Sequence, residues 1–426
     1  MASFLGFIFN AAGIASLGLM ASDISSAGKG KEESTHVEIL IGTGTEQMGG
    51  HWPSVALWNE EGQRIGQGNA NWGDKPGASI DMEIKHEQGA KTGNQAAYIL
   101  LSNMDNDAIC ISAVYITETK TTTTWFGDVG KRCGMSWYQS NRRIGESGQT
   151  PACVWLDNDG SEGINSQALS FHIPDMIAND DRVEQFGEDI NSLCKSTPRF
   201  SFWGDLEADS IMPFFDPPLE YETDSKSGGI GRDKDVERVK DKFKYDKSVT
   251  MYSGGNHKRA WHGTRGEGYG NLTVPDFMLP RQKDNMQRRD GGGTKKGRNT
   301  VAKKRGRRGF DNLIVTYDPG HSAKELCESA TSYGADTVSM AERIFCDMEK
   351  KTMYPLCQEE GDDTMHTHTN SSGVVRVRGS KKEEEKKSCF DMKSKSLYVP
   401  DGQRDSQVHR RAKTAGAKAY KTTQYW

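Results

Sequence analysis

Between residues 35 and 119 apolar residues gather in short runs: HVEILIG from His36, PSVALWN from Pro53, RIGQGN from Arg64, SIDMEIKH from Ser79, AAYILLSN from Ala96 and AICISAVYIT from Ala108. Glycine and polar residues separate them. Such runs bounded by turn residues predict strands, and several short strands at this spacing predict an antiparallel sandwich. The first run continues into HVEILIGTGTEQMGG, residues 36–50, a strand entering a glycine-rich loop. A phosphate-binding reading requires a helix after the loop, whose free N–H groups face the anion. After Gly50 the chain instead carries Pro53, Val55, Leu57 and Trp58, then Glu60, Glu61 and Gly62: a second strand and a turn. Gly42, Gly44, Gly49 and Gly50 also miss the fingerprint spacing, and no crossover helix fits between Ile41 and Ser54. The loop is therefore a corner between strands.

Residues 121–221 carry most of the aromatic side chains, in short apolar segments around Trp125, Trp137, Trp155 and Trp203. These predict a second β-rich region with the tryptophans in its core rather than on a sugar-binding platform. From 222 to 310 apolar periodicity disappears and glycine and charge dominate, which predicts a flexible linker. Beyond it, a strand at 313–317 and Met340, Ile344 and Met348 at regular spacing predict a small α+β unit over 311–426, with VVRVRG from Val374 as an edge strand and a basic tail. The expected fold is thus mainly β: an apolar N-terminal segment (1–28), an antiparallel β-sandwich (35–120), a cysteine-containing β-rich region (121–221), a basic linker (222–310) and the C-terminal unit.

Composition changes this picture in two places. The net charge of -4 hides a strong segregation, because twelve Lys or Arg face only Asp284 and Asp290 within residues 281–308. The densest part contains Lys295, Lys296, Lys303, Lys304, Arg305, Arg307 and Arg308. It has three readings: a dibasic processing region in a secretory pathway, a bipartite nuclear signal, or a patch for polyanions, where salt-dependent and non-specific contact is expected. Cysteine is the second signal. Cys110, Cys133, Cys153 and Cys194 lie before the basic block, and Cys327, Cys346, Cys357 and Cys389 after it. Four on each side predict two disulfides within each half, with pairing left open, and there is no C-x-x-C or zinc spacing. The apolar residues 4–20, followed by small residues, read as a secretory leader lacking its basic n-region, or as a membrane-lying helix. Sequons at Asn271 and Asn370 fit a glycosylated exported chain.

Catalytic patterns are sparse. No G-x-S-x-G, H-E-x-x-H or P-loop string occurs. DNDGSEGINSQA from Asp157 has Glu162 where a calcium loop needs glycine and Ala168 where it needs glutamate. Asp205, Glu207 and Asp209 share a strand face as a paired-carboxylate arrangement for glycoside chemistry, and read more simply as a solvated edge. His366 and His368 have no third metal ligand at suitable spacing.

The order of features over 35–119 resembles a PLAT-like sandwich: a first strand ending at Thr43 and Gly44, a glycine-containing loop, SVALWNEEG as second strand and turn, and LLSNMDNDAICISAVYITE with its Asn/Asp turn and closing strand. That resemblance implies a binding module for membranes or partner proteins, and the expected partner is a cell-surface lipid, glycan or protein. It also implies a calcium option at Asp105 and Asp107, whose alternative is an Asx turn, and no other cofactor. The aromatic segments, with ELCESATSYGADTVSMAERIFCDMEKKTMYPLC, resemble a family of exported ascomycete proteins, which implies export and fungal origin and carries no activity. The expectation is a secreted, effector-like or toxin-like protein that acts by binding more than by catalysis. A nuclear or nucleic-acid-binding role through the basic block and a carbohydrate-active or other hydrolase are the alternatives, and oligomeric state is left open.

Overall fold

The computed structural model describes residues 34–42, 50–69, 78–88, 95–118, 121–144, 148–160, 164, 166–177, 179–204, 206–208, 210, 212–226, 228–239, 311–357, 388–398, 418 and 420–426. The N-terminal segment, the sequons, the basic block, His366, His368, Asp205, Asp209 and the run from Val374 lie outside these residues. The chain is mainly β and divides into two compact units, Met1–Gly306 and Arg307–Trp426.

Two antiparallel sheets build the first unit. One has the order β4 (Ser79–Lys85), β1 (Ser34–Ile41), β6 (Ile109–Glu118), β9 (Cys153–Leu156), β8 (Trp137–Tyr138), with β7 (Thr121–Phe126) also paired to β6. The other runs β11 (Phe200–Trp203), β10 (Ala168–His172), β5 (Tyr98–Ser102), β2 (Ser54–Trp58), β3 (Arg64–Gly68). β1 shows the alternation that its sequence predicts, with Thr35, Val37, Ile39 and Ile41 buried and their neighbours half-exposed. β5 and the first eight residues of β6 are buried on both faces, so their sequences read as continuous apolar runs. Trp125 of β7 stacks on Phe171 and Phe200 of the opposite sheet with ring centroids 5.8 and 6.2 Å apart, which places the aromatic core between the sheets. Trp125, Trp137, Trp155 and Trp203 are all buried, as core rather than platform.

Each sheet draws strands from both sides of residue 120, so 35–120 and 121–221 do not form separate layers. The cause lies in β5 and β6, two largely buried strands whose free edges are completed by β10 on one side and by β7 and β9 on the other. The expected start of the linker at residue 222 also shifts. A hairpin, β12 (Tyr221–Thr223) and β13 (Ile230–Asp233), and a helical turn at Val236–Val239 occupy its first part.

Short helices connect strands within each sheet. α1 (Gly127–Arg132) follows β7, and α2 (Asp180–Glu188) and α3 (Asn191–Cys194) lie between β10 and β11. α2 starts where Asn179 accepts a hydrogen bond from the Arg182 N–H at 2.8 Å, with Asp180 and Asp181 in the first turn complementing the helix dipole. Cys110–Cys153 links β6 to β9, and Cys133–Cys194 ties the end of α1 to the end of α3.

The second unit holds a mixed sheet of order β17 (Thr352–Pro355), β16 (Ile344–Asp347), β15 (Asp336–Ser339), β14 (Asn312–Thr316), β20 (Thr422–Tyr425). β14 and β15 are parallel and connected through α4 (Ala323–Glu328), the helical crossover that parallel pairing requires. β15, β16 and β17 form an antiparallel meander, whereas β20, the last strand of the chain, joins β14 in parallel. A hairpin of β18 (Cys389–Asp391) and β19 (Ser396–Tyr398) packs Phe390 on Phe345 with centroids 4.0 Å apart. Leu313, Val315, Val338, Phe345, Leu356 and Phe390 form the core. Cys327–Cys346 staples α4 to β16, and Cys357–Cys389 joins the end of β17 to β18. Among the described residues no helix is long and apolar enough to cross a membrane.

Candidate functional site

A cluster of buried charge in the first unit begins where β10 ends. His172 closes that strand, and a single 3-10 turn, Ile173–Met176, places Asp175 three residues later, both with fully buried side chains. The Asp175 carboxylate accepts from His172 Nδ1 at 2.8 Å, from Arg182 of α2 at 2.5 Å, from Arg199 Nε at 2.8 Å and from the Tyr221 hydroxyl at 3.2 Å. His172 Nε2 donates at 3.1 Å to Glu60, whose side chain in the β2–β3 turn reaches solvent. Arg199 spends its other nitrogens on the Ser192 carbonyl at 3.0 Å and on Asp233 at 2.6 Å. Gln185 donates to the Asp233 carboxylate at 2.5 Å and accepts from the Asp233 N–H at 3.0 Å, which fastens β13 onto α2.

Three cations, His172, Arg182 and Arg199, thus meet three anions, Glu60, Asp175 and Asp233. Burial works against the charge on His172, but Asp175 and Glu60 outweigh it and raise its pKa above the ordinary value. Burial likewise opposes ionisation of Asp175, yet Arg199, Arg182 and His172 hold its pKa far below the usual carboxylate range. Tyr221 is pushed up by burial and by Asp175. An imidazolium with both N–H groups committed to carboxylates has no lone pair to accept a proton. The His172 and Asp175 pair thus forms the centre of a buried ionic clamp. Arg182 keeps Nε and Nη2 without a hydrogen-bond partner among the described residues, while its guanidinium lies 4.5 Å from the Tyr221 ring centroid and 5.8 Å from that of Phe186.

The second unit has its own cluster. Asp336, fully buried at the start of β15, accepts from Lys418 Nζ at 3.0 Å, from the Tyr420 hydroxyl at 2.8 Å and from the Met348 N–H at 2.8 Å. Lys418 also meets Asp347 at 2.7 Å. Burial pushes the Asp336 carboxyl up despite Lys418; Lys418 itself loses by burial and gains more from Asp347 and Asp336, so its charge is held. Nearby, Lys351 Nζ lies on the Ser332 carbonyl at 2.7 Å, the Leu326 carbonyl at 3.1 Å and the Ser332 hydroxyl, and burial lowers its pKa to about 8. Ser332 Oγ donates to the Leu326 carbonyl at 2.6 Å, so lysine and serine together satisfy the end of α4.

Asp105 and Asp107 fall in the turn between β5 and β6. The Asp105 carboxylate pairs with His51 Nδ1 at 2.5 Å, which lowers its pKa against the burial that would raise it. The turn itself is built by Asn103, which accepts from the Asp105 N–H at 2.9 Å and donates to the Asp107 carbonyl at 3.0 Å. Among the described residues no group of three or more His, Cys, Asp or Glu side chains is placed to hold a metal ion. All eight cysteines are paired, as Cys110–Cys153, Cys133–Cys194, Cys327–Cys346 and Cys357–Cys389. Glu207 is half-buried beside β11, and its carbonyl accepts from the Ser210 N–H at 3.0 Å.

Sequence reasoning missed both charge clusters. The available signal was a charged residue beside aromatics in otherwise apolar runs, as in SFHIPDM from Ser170 and STPRFSFW from Ser196, where a buried Arg or His has to find a partner. Compared with known proteins, the chain matches no family model and no curated protein.

Proposed function

We propose that this chain is exported and acts by binding a cell-surface lipid, glycan or protein, after or alongside processing at its basic block. The observation that carries this reading is the placement of the four disulfides. Every bridge closes within one unit, and the sequence between the described parts of the two units, residues 240–310, contains the cluster Lys303, Lys304, Arg305, Arg307, Arg308. A cut there leaves two bodies, each with two bridges of its own, and such bridges persist in oxidising compartments. Binding rather than turnover is supported by the commitment of His172 to two carboxylates. It is also supported by exposed Tyr317, Met353, Tyr398 and Tyr425, which present apolar and aromatic surface on the second unit.

The test is the intact mass of the chain recovered from culture fluid of a secreting host, with and without reductant and glycosidase. Expected are four disulfides, and cleavage products that lengthen when Lys304, Arg305, Arg307 and Arg308 are all replaced by Ala. Free thiols in the exported chain overturn the proposal. So does retention in the nucleus of a leaderless form that the same substitutions release to the cytoplasm.

A further inference from the structure

The sheet of the second unit is completed by the chain's own last residues, KAYKTTQYW at 418–426. No covalent link beyond the main chain holds them. Main-chain pairing runs the length of β14, from Asn312 opposite Thr422 to Val315 opposite Tyr425, and closes with the Trp426 N–H on the Val315 carbonyl at 2.9 Å and the Tyr317 N–H on the Trp426 carbonyl at 3.0 Å. Side chains fix the register. Lys418 and Tyr420 fill the Asp336 and Asp347 end, Thr422 donates to Asn312 at 2.7 Å, Lys395 donates to Thr423 at 3.0 Å, and the Trp426 ring packs edge-on against His321 at 5.7 Å.

We infer that the β14 edge, with the Asp336 and Asp347 carboxylates at one end and His321 at the other, is a strand-acceptor site for a basic, aromatic extended peptide. Its resident occupant is residues 418–426, and its exchange partner is the same segment of a second copy of this chain. Three observations carry this. Main-chain pairing supplies affinity while the lysine, tyrosine and tryptophan positions supply selectivity, the division of labour in recognition by strand addition. With the tail in place Asp336 is fully buried, and its cation and its hydroxyl donor both come from the tail, Lys418 at 3.0 Å and Tyr420 at 2.8 Å, so vacating the edge removes both from the carboxylate. Nineteen residues, 399–417, separate Tyr398 from Lys418. A chain of that length spans at most about 60 Å, a contour sufficient for exchange between neighbouring copies.

The test uses the full chain with a sequence-specific protease site placed within 399–417. After cleavage, a fluorescein-labelled peptide of residues 418–426 is added, and the intact mass and anisotropy of the protein fraction are followed. The labelled peptide is expected to replace the cut tail, to be displaced by the full chain at high concentration, and to bind at least about tenfold more weakly when Asp336→Asn is present. The uncut chain at low concentration takes up little. Failure of the labelled peptide to enter, with amide exchange showing β14 to β17 still protected, overturns the inference, because the tail is then a permanent strand. Equal uptake by cut and uncut chain overturns it as well, because binding is then elsewhere. Uptake that the full chain does not displace removes the second copy as partner.

Discussion

Replacing Asp175 by Asn removes the one anion that three buried cations share. The amide keeps the volume and one acceptor oxygen, but it turns an NH2 group toward donors that it cannot satisfy. Arg199 retains Asp233 and His172 retains Glu60, whereas Arg182 loses its only hydrogen-bonded partner among the described residues. Breaking a buried pair from one side costs ~3–5 kcal/mol, because a charge is left in the interior without compensation. Against a unit stability of ~5–15 kcal/mol the loss is a large fraction. With a urea slope of about 2 kcal/mol per molar, the midpoint falls by ~1.5–2.5 M. Equilibrium denaturation of the oxidised chain, followed through the fluorescence of buried Trp125, Trp137, Trp155 and Trp203, reads this directly. A loss below ~1 kcal/mol would falsify the clamp. The order of costs is a second check: Arg182→Met should cost less than Asp175→Asn, since Asp175 then still holds Arg199 and His172. An Arg182 variant as damaging as the Asp175 variant also sinks the reading.

Opposite alkaline responses are expected of the two units. The raised pKa of His172 means that its contribution is whole below pH ~6.5 and is lost as pH rises through the folded value, while that of Asp175 is whole above pH ~3.9 and lost in acid. Lys351, with a folded pKa of about 8, gives up its proton before the unfolded chain does, so its contribution to the second unit grows between that pH and ~10.4. Tryptophan melting for the first unit and amide exchange over 311–357 for the second separate the two, and a first unit that gains stability from pH ~6.5 to ~8 contradicts the assignment. Removing the Cys133–Cys194 bridge by paired Cys→Ala should cost ~4 kcal/mol by loop entropy, against ~3 for Cys327–Cys346, because the loops span 61 and 19 residues. Denaturant midpoints of the two double variants test that order, and a reversed order points to native strain rather than chain entropy.

The strands were readable because their burial matches their position in the sheet. β1 has one face covered and alternates, whereas β5 and the first eight residues of β6 are covered on both faces and are mostly apolar. What no local pattern revealed is which strands share a sheet. The chain returns after residue 120 to complete both sheets, and that return is decided by the unfilled edges of β5 and β6, a property of the assembled core. Cysteine segregation, by contrast, is a sequence-level quantity, and the pairing within each half adds only which of the three partitions each core allows.

The ionic clamp was illegible for a different reason. α2 buries Arg182, Gln185 and Phe186, positions at helical spacing that carry a charge, an amide and one ring, so an apolar-periodicity search passes over the helix. Its inward face is polar because it is matched to Asp175 and Asp233, which arrive from segments seven residues before Arg182 and fifty-one after it. The hairpin that supplies Asp233 lies in a stretch whose glycines and charges look like linker. It is folded because Gln185 and Arg199 need its carboxylate, not because its own residues bury apolar area. Where charge rather than apolar surface holds an element to the core, composition reports solvent while the contacts report an interior. The signal then lies in the pairing of distant opposite charges, which a single sequence does not display.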